Sequence, residues 1–399
     1  MRIGRVLAVV AIAALVAAAC GDAEDDADAS ASQGESGSSG ADTATEPADT
    51  ATEPADTPDA GGSDDGGSDD GASSSDSEPA DGVEPAPAGL VVPEVDPVEF
   101  PLTITDAIGR ELTLDEPARI GCYWTGCTEI FASLGVPPDA ATVPGGTPED
   151  GAFYFPVGPP DFVPSAFNDL EAWAGADINF VVGRGPQGPN DAVIEEFVDI
   201  FYLHAPGLTD TNLIGYDAHS ENIRMLGQLL GMAQEAEVAV ARMEAAIATL
   251  AEFSTPELAD RSFAYLFNEE GYRVMTDDTP FCAAIAEAGV GTCLPLRDGE
   301  LNAEAFLELD PDVIAVQAGF NAVGYTTETR DDPVWSRLTA VQNGTAYDSD
   351  DRLYWCCGSR SLIWALQDFA AYAIPDSGIP APGPLGVFDP TTSPLVPQG

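Results

Sequence analysis

Ser220–Phe253 reads SENIRMLGQLLGMAQEAEVAVARMEAAIATLAEF. Its second half sets Ala236, Val240, Met243, Ile247 and Leu250 at the spacing of one helix face. Glu235, Glu237, Arg242, Glu244 and Glu252 lie off that stripe, and alanine fills much of the remainder. No Gly or Pro interrupts Met232–Thr255, and Pro256 then stops the pattern. At about 1.5 Å per residue such a helix spans roughly 30 Å, the width of a small domain. On each side lies a long block that alternates short apolar strands with helical patterns. The stretch therefore predicts a rigid strut between two α/β lobes: one continuous helix whose Val240–Met243–Ile247–Leu250 face packs on both. A surface helix of a single domain is the alternative that periodicity leaves open.

Working outward, FPLTITDAIGRELTL (Phe100–Leu114) reads as a hairpin turning at Ala107–Arg110. ARIGCYW and DINFVV are strands, AVIEEFV is a helix, and DIFYLHAPG is a strand with its exit loop. Beyond the strut, RSFAYLFNEEG is a strand and TPFCAAIAEAGVG a helix with a glycine stop. NAEAFLELDPDVIAVQAG is a helix then a strand, and VWSRLTAVQNGTAYDSD a helix, a turn at Asn343-Gly344 and a strand. Trp355–Ala373 begins as a loop and continues as a helix; the Pro/Gly-rich residues beyond Pro375 are expected to wrap the surface or stay disordered. Strand–helix alternation implies parallel sheets with crossover helices.

The chain has 399 residues, 68 acidic against 14 basic, and a formal net charge of -54. That balance excludes a nucleic-acid binder, which needs a basic footprint. It also fits a protein kept soluble at high salt. Arg2 and Arg5 precede VLAVVAIAALVAAA, which ends at Cys20-Gly21-Asp22. The run has signal-peptide length and is short for a membrane span. Small residues before Cys20 resemble a bacterial lipoprotein signal, in which Cys20 receives the lipid, although Leu is missing three residues before it. An ordinary secretory signal is the alternative, and either implies an extracytoplasmic chain. Residues 21–95 repeat DTATEPA and GGSDD, with no basic residue from Arg5 to Arg110. They read as a disordered acidic tether that lifts the folded part off the membrane. The organisation expected is therefore a signal at 1–20, a linker at 21–95, an N-terminal lobe at 96–217, an inter-lobe helical segment at 218–254, a C-terminal lobe at 255–376 and a tail at 377–399.

The order TDAIGRELTL, PARI, EIFASLGV, SENIRMLGQLLG, LNAEAFLELDPDVIAV and DPVWSRLTAVQNGTAYD resembles the ABC-transporter substrate-binding proteins that serve ferric siderophores, haem and cobalamin. The resemblance covers about Phe100 to Pro375, is most specific in the second lobe, and is weakest over Val143–Leu170. It implies two Rossmann-like lobes joined by a single long helix, a ligand cleft between them, and limited hinge motion. It further implies a monomer that carries a small-molecule metal chelate, meets an ABC permease, and needs no cofactor of its own.

Ligand should then meet the loops at the carboxyl ends of the parallel strands: Cys122–Cys127, Gly183–Gly188, His204–Gly207, Asn268–Gly271, Gln317–Tyr325 and Tyr354–Arg360. Tyr123, Trp124, Phe320, Tyr325, Tyr354 and Trp355 offer aromatic faces for a flat or catecholate-bearing ligand. Packing is the competing role for each, and the resemblance places Trp355 at the cleft mouth. Arg184 and Arg360, flanked by glycine in a chain poor in arginine, suit an anionic ligand group or, equally, a structural salt bridge.

Six cysteines follow Cys20, an even number that favours disulfides outside the cytoplasm. Cys282 and Cys293 bracket a helix and read as a bridge. For Cys122, Cys127, Cys356 and Cys357, bridges within each loop are favoured over a cross-lobe bridge or a thiolate metal site. Only two histidines, His204 and His219, argue against a zinc or manganese carrier. There is no GxSxG, HExxH, P-loop or Cys-x-x-Cys spacing, so no enzyme is expected. A metal- or thiol-dependent enzyme built on the cleft cysteines is the alternative. By the resemblance, Glu304 docks the permease from the second lobe, and Asp169 or Glu171 from the first; solvated surface charge is the competing reading.

Overall fold

In the computed structural model, residues 89–122, 125–141, 170–183, 185, 189–205, 215–267, 272–274, 279–295, 300–319, 322–323, 332–350, 358–384 and 388–398 are described. The first lobe opens with the hairpin of β1 (Leu102–Thr105) and β2 (Glu111–Leu114), paired antiparallel. Then come β3 (Ile120–Cys122), α1 (Thr125–Leu134), β4 (Ala140–Ala141), α2 (Leu170–Gly175), β5 (Phe180–Gly183), α3 (Pro189–Ile194) and β6 (Asp199–Tyr202). The strands form a parallel sheet in the order β4-β3-β5-β6. FVVG is buried on both faces, as a central parallel strand must be. Val182 and Phe201 pack with Phe131 and Leu226, while Val181 and Ile200 pack with Trp173 and Ile194.

The quoted stretch is two helices, α4 (Gly215–Leu229) and α5 (Ala233–Ala251). Gly231, at φ 71°, takes the left-handed conformation that ends α4, and Met232 N donates to Gly227 O at 2.6 Å. Uninterrupted helix runs from Ala233 as the spacing predicts. Ala236, Ala239 and Val240 lie in the first lobe's core, and Met243, Ala246, Ile247 and Leu250 in the second's. One apolar stripe changes lobe between Val240 and Met243, so α5 is a strut shared by both cores.

The second lobe runs α6 (Pro256–Ala259), β7 (Ser262–Phe267), β8 (Tyr272–Val274), α7 (Pro280–Glu287), β9 (Thr292–Cys293) and β10 (Glu300–Leu301). α8 (Ala303–Leu309), β11 (Val313–Gly319), β12 (Ala322–Val323), α9 (Thr339–Asn343), β13 (Ala346–Asp350) and α10 (Ser359–Ala373) complete it. β9, β7, β11 and β13 are parallel, and β8, β10 and β12 add antiparallel strands. The segment VWSRLTAVQN, expected as one helix, divides into a 3-10 turn at Trp335–Arg337 and α9, because Leu338 is extended.

The tail lies along α10, and part of it is buried beneath the surface. Trp364 Nε1 donates to Gly383 O at 2.8 Å and Gln367 Nε2 to Pro380 O at 3.0 Å, fastening it along α10. Leu395 and Val396 are fully buried in the second lobe's core. Two apolar residues in a Pro/Gly background carry no periodicity, yet they suffice to seat the segment when a partner face awaits them. No helix among the described residues is long and apolar enough to cross a membrane.

Candidate functional site

α1 begins directly beyond the carboxyl end of β3, and the last helix, α10, begins beyond that of β13. The first turn of α10 packs against the second half of α1. A Cβ added at Gly358, which caps α10, would lie 2.3 Å from Glu129 O and 2.5 Å from Ser133 Oγ. Both helices follow the carboxyl ends of parallel strands, the ends at which crossover sheets present their ligand loops. The edges comprise Cys122, Gly183 and Tyr202 in the first lobe and Phe267, Gly319 and Asp350 in the second.

The walls of the junction are polar and dry. Arg360, 2% exposed, places Nη1 3.2 Å from Glu129 Oε1, and Glu129 is 1% exposed. Arg360 N donates to Ser133 Oγ at 3.2 Å, and Arg360 Nε donates to Phe388 O of the tail at 3.3 Å. Of the two roles open to Arg360 from sequence, the structure therefore displays the salt bridge. Its side chain is turned to a partner 231 residues away, a pairing no local pattern reveals. His219 on α4 lies 3.4 Å from Gly358 O, and complete burial drives its pKa down to about 4, only partly opposed by that hydrogen bond.

At the end of β6, Asn222 grips the backbone of His204: its Oδ1 accepts from His204 N at 2.7 Å and its Nδ2 donates to His204 O at 2.9 Å. Burial lowers the His204 pKa, with Glu221 and Asp106 acting in the opposite direction, and its Nδ1 is buried without a hydrogen bond. The β1–β2 turn braces the same edge. Asp106 Oδ1 accepts from Ile108 N at 3.1 Å and Arg110 N at 2.9 Å, and the Arg110 guanidinium stacks 4.7 Å over Tyr202. Asn222 was not singled out from sequence. The SENIR motif contains it, but nothing local announces a side chain that imitates a strand partner.

Cys122 and Cys127 form a disulfide across the start of α1, and both are fully buried. Cys282–Cys293 is the second bridge, tying α7 to β9. The first bridge removes two sulfurs from any thiolate site. Among the described residues no group of three or more His, Cys, Asp or Glu is arranged to hold a metal ion. Glu171 and Glu304 occupy corresponding places: each is exposed, in the first turn of a short helix that precedes a strand, α2 before β5 and α8 before β11. Cys20, Tyr123, Trp124, Asp169, Arg184, Phe320, Tyr325, Tyr354, Trp355, Cys356 and Cys357 lie outside the described residues. A surface hollow of about 320 Å³, lined by Val95, Asp96, Leu102, Arg224, Gln228 and Glu237, lies where the strut begins and not at the strand ends.

A sequence model described as periplasmic binding protein matches residues 200–353. Solved structures share the fold at low identity. The ABC-type Fe3+-hydroxamate transport system from Saccharomonospora viridis is 20% identical with a TM-score of 0.51, covering 69% of this chain and 99% of its own. The catecholate-siderophore binding protein VctP from Vibrio cholerae is 15% identical with a TM-score of 0.52, over 69% and 99%. The triscatecholate siderophore binding protein FeuA from Bacillus subtilis, complexed with ferri-bacillibactin, is 15% identical with a TM-score of 0.56, over 69% and 98%. No curated protein matches the chain. The family matched is the one the sequence resembles, and the two-lobed fold is that of the periplasmic binding proteins.

Proposed function

We propose that this chain, a two-lobed protein of periplasmic binding protein fold, is the extracytoplasmic substrate-binding component of an ABC importer for a ferric siderophore or a related haem or corrinoid complex. The observation that carries the reading is the packing of α10 on α1, two helices that follow the carboxyl ends of strands in separate sheets, beside a strut shared by both cores. On this reading the ligand lies between the lobes at the strand ends, and the outer faces meet the partner. Two solved structures of this fold, an ABC-type Fe3+-hydroxamate transport protein and a triscatecholate siderophore binding protein, support the ligand class. Tyr123, Trp124, Phe320, Tyr325 and Trp355 are the proposed aromatic contacts, with Arg184 for an anionic group.

Cys20 is the proposed lipidation site, residues 21–95 the tether, and Glu304 with Asp169 or Glu171 the permease contacts. Two charges held apart by a rigid strut are met together only by a correctly oriented partner. Titration of the purified chain by tryptophan fluorescence with ferric hydroxamates, ferric catecholates, haem and cobalamin tests the ligand class. Saturable quenching by one group of chelates is expected; a flat response to every member would refute it.

A further inference from the structure

We infer that Glu129 and Arg360 are positioning residues, a buried inter-lobe pair that fixes the two strand edges relative to one another, and that Arg360 acts through Glu129 and not on the ligand. The inference rests on the cleft reading above for its functional consequence, though the pair itself stands on geometry alone. Arg360 is contacted from two separate segments, α1 and the tail. Glu129 of α1 faces its Nη1, Ser133 Oγ accepts from its backbone N–H, and Phe388 O of the tail accepts from its Nε. Ser133 also donates to Glu129 O at 2.8 Å, so both N-lobe groups sit on one turn of α1. Gly358 permits the contact because any side chain there would strike the α1 backbone.

A guanidinium and a carboxylate this dry lose water on both sides, and such a pair is justified by what it orients as much as by its attraction. Removing one partner leaves an uncompensated buried charge. Removing both with apolar groups of similar size does not. This asymmetry distinguishes positioning from ligand contact, and it selects the experiment.

The full chain is compared with Glu129→Gln, Arg360→Met and the double variant Glu129→Met/Arg360→Met, by hydrogen–deuterium exchange and by titration with ferric hydroxamates and ferric catecholates. Each single change should speed exchange in residues 129–134 and 358–363 by more than about tenfold, leaving 233–251 unchanged, and the double variant should return toward wild type. Chelate affinity should fall at least tenfold in Arg360→Met and recover in the double variant. Arg360→Lys, which keeps the charge but loses the planar fork, should fall between wild type and Arg360→Met in exchange. Unchanged exchange in the single variants, or a double variant as fast as the two combined, would overturn the pairing. Affinity that stays lost in the double variant while exchange recovers would make Arg360 a ligand contact and overturn the positioning role. If the wild-type chain takes no chelate, the ferric-chelate reading fails by itself and the exchange measurement still decides the pair.

Discussion

Two of the joins between the lobes are made by chemically opposite means. Along the strut, Ala236, Ala239 and Val240 are buried in one core and Met243, Ile247 and Leu250 in the other, so the join is made of methyl and methylene groups. At the cleft end it is made of Glu129, Arg360, Ser133, His219 and the bare backbone of Gly358. An apolar join tolerates small slips, because dispersion and burial have little direction. A dry polar join does not, because each donor has one place to go. The strut thus fixes how far apart the lobes are, and the junction fixes how they face each other.

This contrast can be broken by mutation, beginning with the largest effect. Leu250→Ala on the strut should cost about 2–5 kcal/mol in denaturant unfolding, through lost burial and the cavity left behind. His219 should make the junction acid-sensitive in a way the strut is not. Its folded pKa, about 4, lies below the ordinary 6.5. The neutral form is therefore the one the fold holds, and the stability it confers is intact above pH 6.5 and lost as pH falls toward 4. The loss approaches about 3 kcal/mol at its limit. A pH series on His219→Gln should show a shallower decline than wild type between pH 6.5 and 4; parallel curves would remove His219 from the account.

Gly358→Ala should cost about 1–3 kcal/mol by forcing α10 off α1. Gly383→Ala, where an added Cβ meets nothing within 4 Å, should be neutral within about 0.5 kcal/mol. Equal effects at the two glycines would mean that the close approach is not tight. Smallest in stability is Glu304→Arg, exposed and outside both joins, expected within about 0.5 kcal/mol of wild type. Its effect should appear only in uptake through the permease. If uptake persists after reversal of Glu304, Asp169 and Glu171 together, these residues are solvated charge.

The two joins also differ in how far they could be read in advance. Periodicity exposes the strut because one face of a helix repeats, and the β5 and β11 strands because apolar runs bounded by turns repeat. The Cys282–Cys293 bridge follows from a short helical spacing. None of this reaches Glu129–Arg360, whose partners are 231 residues apart, or Asn222 gripping His204, or Leu395 and Val396 seated in a core from a Pro/Gly-rich tail. Such contacts depend on which surfaces the fold brings together, and only the assembled lobes define them. The aromatic candidates came from strand-end logic, which identifies loops but not the direction of a side chain.

Native mass spectrometry of the full chain, after incubation with ferric hydroxamates, ferric catecholates, haem and cobalamin, tests the central claim most directly. A binding protein for metal chelates should retain one intact chelate per chain, with the same stoichiometry in Glu304→Arg. A chain that retains no chelate, or that holds stoichiometric metal without any chelate, would contradict it.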